Sequence, residues 1–134
     1  VLFLFALSAE AGPSSKVIPA ADLAWTDVKR PDGTPVGLRA VDLWGDSAKG
    51  AHGSLASFPA GLTEPMHYHS AAIRVVVIAG TMRYVIGGVE SKNLSAGSYV
   101  TVEGGVPHFA HCMPGAPCEV FLEQDAAMDV KLVK

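Results

Sequence analysis

From Val36 onward the chain reads as short runs of alternating apolar and polar residues, separated by glycine and proline. A period of two marks strands that turn one face inward. The pattern predicts strands over Val36–Trp44, Ala51–Phe58, Met66–His69, Ile73–Ala79, Met82–Gly87, Tyr99–Val102, His108–Cys112 and Cys118–Gln124, with a short one over Val130–Val133. Breaks fall at Pro59-Ala60-Gly61, Gly80, Gly87-Gly88, Ala96-Gly97 and Gly104-Gly105. The run Ile73–Ala79 is apolar on both faces, which predicts a strand at the centre of a sheet. No amphipathic helix is visible between Val36 and Gln124. Many short strands with regular turns point to an all-β sandwich or small barrel.

Residues 36–134 are thus expected to form one barrel. Residues 12–35 hold Pro13, Pro19, Pro31, Asp32-Gly33 and Pro35, and read as an irregular arm with a short helical turn at most. Residues 1–11 are different again. Their apolar run has the length of a signal-peptide core, and Ala9-Glu10-Ala11 resembles a cleavage site. A buried first strand is the other reading of that run. The leader reading implies an exported protein, periplasmic or secreted. The whole chain has 134 residues, enough for one domain, and no apolar run nears the ~20 residues of a membrane helix. Its net charge of −3, without a basic stripe, argues against nucleic acid as a partner.

Chemistry concentrates in the histidines. His67 and His69 lie two apart on a predicted strand, so their side chains share a face. His108 opens another predicted strand about forty residues later, with His111 on the opposite parity. Two ligands from one strand and a third from a neighbour can hold one ion. A polar patch at a barrel mouth is the alternative. Serines occur without a G-x-S-x-G context, and no phosphate-loop pattern is present.

Both histidine segments resemble the paired motifs of the cupin superfamily. The first runs from Gly61 through His67-Tyr68-His69 to Gly80, and the second from Gly97 through Gly105 and His108 to Cys112. The surrounding text is similar to small exported cupins of undefined function. The resemblance implies a double-stranded β-helix, or jelly-roll, barrel holding one divalent transition metal (Fe, Zn, Mn, Ni or Cu) on His67, His69 and His108. It also implies a small-molecule ligand or substrate, and it leaves a homodimer open.

The chain departs from the motifs in three places. The acidic residue usually found three or four positions after the second His is Ile73 or Arg74 here. By strand parity Ile73 follows the histidines inward, whereas a bulge would bring Arg74 in instead. Glu103 replaces a turn proline, and Cys112 takes the place of an asparagine. Among cupins, three-histidine sites without the glutamate include dioxygenases, so an oxygenase acting on a small anionic molecule is one implied function. A non-catalytic binding or sensor module is the other. His52, Glu64, Tyr84 and Cys112 are expected to line the pocket or support it. Glu64 reads first as a solvated loop carboxylate, and His52 as a satisfied histidine of the barrel wall. Cys112 and Cys118 flank a Pro-Gly turn, and either a disulfide or two free thiols would fit.

Overall fold

The structure is a computed structural model and describes residues 15–134. The segment read as a leader, residues 1–11, lies outside the described residues. A 3-10 turn at Ala20–Asp22 leads into β1 (Thr26–Lys29), β2 (Pro35–Gly45), β3 (His52–Phe58), β4 (His67–Tyr68), β5 (Ile73–Ala79) and β6 (Met82–Ile86). There follow β7 (Val89–Glu90), β8 (Tyr99–Val102), β9 (His108–Cys112), β10 (Cys118–Gln124) and β11 (Lys131–Leu132). They form a six-stranded sheet of order β1-β2-β3-β10-β5-β8 and a five-stranded sheet of order β11-β4-β9-β6-β7. The named pairings are antiparallel, and β10 lies between strands that precede it by many residues. This is the crossed connectivity of a double-sheet jelly roll. Among the described residues no helix is long and apolar enough to cross a membrane.

Alternation places the core. Ala56 and Phe58 of β3, Val75 and Val77 of β5, and Val120 of β10 turn inward against Met82, Tyr84 and Ala110 of the other sheet. One end of the barrel is closed. There Met82 pairs with Cys112, and Cys112 is joined to Cys118 by a disulfide. These three residues and Val77 are at most 1% exposed. Gly80 turns β5 into β6 at this end with φ +76°, and a Cβ there would sit 2.5 Å from the Pro117 carbonyl oxygen and 2.7 Å from Cys118 Sγ. Only glycine admits both that conformation and that approach.

Two expectations need correction. The arm over residues 12–35 is not wholly irregular, because β1 pairs with β2 through Thr26–Ala40 and Asp27–Arg39. Its single apolar residue, Val28, leaves no alternation to read, and an exposed Asp27–Arg39 ion pair at 3.9 Å marks the pairing instead. The apolar run of β5 does not lie at a sheet centre. It is next to the edge strand β8, and Val76 and Ile78 face outward, 37% and 43% exposed. The two-residue strand β7 was too short to stand out.

Candidate metal centre

At the end opposite the disulfide, β4 and β9 bring three histidines together. His67 and His108 are direct cross-strand partners, and His69 follows two residues further along. The ring centroids of His67 and His108 are 4.5 Å apart, those of His67 and His69 4.9 Å, and those of His69 and His108 5.0 Å. All three residues are buried.

Their protonation is set by the backbone. The His67 Nδ1–H donates to the Pro65 carbonyl at 2.8 Å, that of His108 to the Val106 carbonyl at 2.9 Å, and that of His69 to the Asp129 carbonyl at 2.5 Å. A carbonyl oxygen can only accept, so each Nδ1 carries a proton and Nε2 is the nitrogen left for a ligand. Burial, together with the neighbouring imidazoles, pushes His69 down to about 4, and burial also lowers His108. The ring atoms offered to a common ligand lie within 4.8 Å of one another. Three clustered imidazoles, each oriented by a carbonyl on Nδ1, form a donor set suited to a divalent transition metal. Ligands around one ion at ~2.1 Å would stand roughly 3–3.5 Å apart, so a modest inward shift completes the fit.

A segment that the motifs do not reach holds His69. Asp129 accepts the His69 proton through its backbone carbonyl, while its carboxylate takes the Ser70 backbone N–H at 2.8 Å and the Ser70 hydroxyl. Those hydrogen bonds keep the Asp129 carboxyl below its usual range. Beyond it, β11 pairs with β4, and Lys131 lies 5.8 Å over the Tyr68 ring. From the other side the Gly105 N–H donates to the His69 carbonyl at 2.8 Å. Gly104 comes so close that a Cβ there would meet the Ser70 carbonyl oxygen at 2.3 Å. Asp129 gave no sequence signal, since its partners lie some sixty residues away.

The other expected residues divide. Ile73 is buried on the inward face of β5 and offers no ligand atom. Arg74 does not line the pocket: it points outward to Glu123 and Asp125, each at 2.9 Å. Glu64 is no freely solvated carboxylate. It accepts the Ala110 N–H at 3.0 Å and stands near His108 and Tyr84. Burial raises it to about 7, against the lowering effect of the Ala110 hydrogen bond and His108. Burial and the nearby Glu64 also push the Tyr84 hydroxyl up, so it stays protonated. Cys112 shares the inward parity of His108 but lies four residues along β9, at the closed end and in the disulfide, and so it does not line the histidine pocket. His111 takes the outer face and meets Thr63 Oγ1 at 2.5 Å. His52 is buried in the wall with its Nδ1–H donating to the Gly50 carbonyl at 2.9 Å, but its Nε2 is unpartnered, so the expected satisfied histidine is only half satisfied.

Comparison with known proteins fits this picture. Residues 16–127 match the family described as a domain of unknown function, DUF4437. The chain belongs to that family. No curated protein matches the DUF4437 chain. Several of its solved structural neighbours are described as cupins. The polyketide cyclase RemF from Streptomyces resistomycificus superposes with a TM-score of 0.73 at 19% identity, covering 90% of this chain and 87% of that one. The cupin-2 domain protein Rru_A2000 from Rhodospirillum rubrum gives 0.71 at 14% identity, covering 92% and 83%. Salicylate 1,2-dioxygenase from Pseudoaminobacter salicylatoxidans, in complex with gentisate, gives 0.62 at 19% identity, covering 75% of this chain and 31% of that one. At such identities the likeness establishes the shared barrel and nothing finer.

Proposed function

We propose that this DUF4437 protein is a mononuclear metal cupin that binds a small anionic organic molecule at the open face of a His67–His69–His108 centre. The observation that carries the reading is the set of three Nδ1–H···O=C anchors, which leave three buried Nε2 lone pairs facing one point. A bound divalent ion would supply Lewis acidity and, if redox-active, a site for O₂ chemistry. The chain contributes the rest. Three neutral ligands do not offset the ion's charge, and Ile73 leaves the remaining face without a carboxylate, so an anion is favoured there. Glu64, raised to about 7 beside His108, can hold or release a proton near neutral pH. Tyr84 stays a neutral donor.

The finer reading is an oxygenase, supported by the carboxylate-free ligand set and by a dioxygenase among the structural neighbours. A non-catalytic binding or sensor cupin is its rival. Metal identity separates them. Fe, Mn, Cu or Ni in the purified protein supports the oxygenase, and Zn with a filled coordination shell supports the binding or sensor module. Mass-spectrometric metal analysis of the wild type and His108→Ala tests the site itself. About one metal per chain in the former and nearly none in the latter is expected, and a wild type that takes up no transition metal would overturn the reading. Export belongs to the same proposal, supported by the Cys112–Cys118 disulfide and the leader-like residues 1–11. Protein recovered from the periplasm or medium should show no free thiol.

A further inference from the structure

The six-stranded sheet carries a second polar feature at the level of the histidines. His52 of β3 and Gln124 of β10 are direct cross-strand partners, and both are 0% exposed. His52 shares its parity with the core residues Ala56 and Phe58, and Gln124 with Val120, so both side chains turn into the barrel. The register continues from Glu123–Arg74 to place Gln124 beside Ile73, which pairs with Val102. This row lies at the end where the chain passes from His69 into β5. It therefore lies toward the same end of the barrel as the three histidines.

Each residue has one atom with no hydrogen-bond partner among the described residues, His52 Nε2 and Gln124 Oε1. Both are acceptors. His52 donates from Nδ1 to the Gly50 carbonyl, so in the neutral ring Nε2 is the acceptor. Gln124 donates from Nε2 to the Ala71 carbonyl at 3.2 Å, and turning the amide over would set two oxygens against each other. A buried acceptor left unmet carries its full desolvation cost, so two on directly paired residues need an explanation.

We propose that His52 Nε2 and Gln124 Oε1 form an acceptor pair that receives the hydroxyl of a small hydroxylated carboxylate, whose anionic end faces the three histidines. The proposal rests on the metal-centre reading for the anionic end only. A hydroxyl suits the pair because it can donate to either atom, and a cation would be repelled by an ion on the histidines. Asp42, on the strand next to His52, is taken by Ser47 and Ser54. Packed sheets stand about 10 Å apart, so the hydroxyl belongs a few bonds from the carboxylate, too far to chelate the same ion.

The test measures binding of 4-hydroxybutyrate against butyrate, and of 3-hydroxybenzoate against benzoate, by calorimetry on the metal-loaded full chain. In each pair the hydroxylated member should bind at least about tenfold more tightly. Gln124→Met and His52→Leu should each bring that ratio near one while leaving metal content and affinity for the plain carboxylate intact. Stripping the metal should weaken both members together. A protein that takes up no metal yet keeps the preference would overturn the metal reading and leave the acceptor pair standing. A ratio near one in the wild type needs no folded variant to read, and it overturns the proposal. So does a preference that survives both substitutions, above all if they raise the melting temperature, since the pair would then hold only a structural water.

Discussion

The two ends of the barrel are built from the same strands and differ in what fills the inward positions. Along β9 the inward residues run His108, Ala110, Cys112, and along β10 they run Gln124, Leu122, Val120, Cys118. At the disulfide end the inward groups of these strands are apolar or cross-linked. At the histidine end buried nitrogens and oxygens gather; burial disfavours the charged forms of His69 and His108 and leaves His52 Nε2 and Gln124 Oε1 unmet. A polar cluster of that kind is expensive to bury, and the apolar end offsets the cost. Stability and chemistry thus lie some four residues apart on common strands, and substitutions should separate them.

The sharpest separation comes from His67→Ala. Metal affinity, read by competition with a chelator, should fall more than about 100-fold, beyond the effect of losing a supporting contact. The metal-free melting temperature should move little, because the apolar end is untouched. Met82→Ala should do the reverse. It empties a fully buried position, and urea denaturation should show a loss of about 3 kcal/mol with metal stoichiometry unchanged. Metal loss in that variant would mean that the ends are coupled. Asp129→Ala should sit between, with metal affinity lower by roughly 10- to 100-fold through a loosened His69. Asp129→Asn, which keeps an acceptor for Ser70, should recover part of it.

The smallest effect is a pH dependence. Glu64 is raised from 4.5 to about 7 in the folded protein. The folded state therefore holds this proton more tightly, and the stability it contributes is full below pH 4.5 and lost as pH rises through about 7. His69 works in the opposite direction. Its value falls from 6.5 to about 4, so acidification between those values destabilises the fold. Glu64→Gln should make metal-free protein more stable than wild type at pH 8, by roughly 1–3 kcal/mol. That advantage should vanish toward pH 4.5, and melting curves across this range would check it. An advantage that does not change with pH would show that Glu64 does not ionise in this range.

Much of this arrangement was legible in the sequence, for identifiable reasons. Strands β8, β9 and β10 follow from alternation and β5 from its continuous apolar run, and parity brought His67 and His69 to one face. Ile73 turns in and Arg74 out as expected, although bends at Ser70 and Ala71 carry the chain into the other sheet, so strand parity does not run unbroken from the histidines. What escaped has no local signature. Glu64 is withdrawn from solvent only because β9 passes beside it. Gln124 reads as an ordinary polar strand end until β3 and the Ala71 carbonyl are placed around it. Asp129 acts on His69 across a separation that no short-range pattern can encode. Thr26–Lys29 carries too little apolar content to read as a strand, although Arg39 draws it in.

The hold of Asp129 on His69 also has a consequence for the order of events during synthesis. A chain grows from its N-terminus, and Gln124 completes the six-stranded sheet before Asp129 is made. The barrel can therefore close around its apolar end while His67 and His108 are already anchored to their own strands through Pro65 and Val106. Of the three, His69 waits for Asp129, which follows every strand of that sheet in the chain. In the proposed centre the third ligand would then be oriented only after the sheet is complete, and a chain cut before Asp129 would carry two oriented histidines and a third still free to turn.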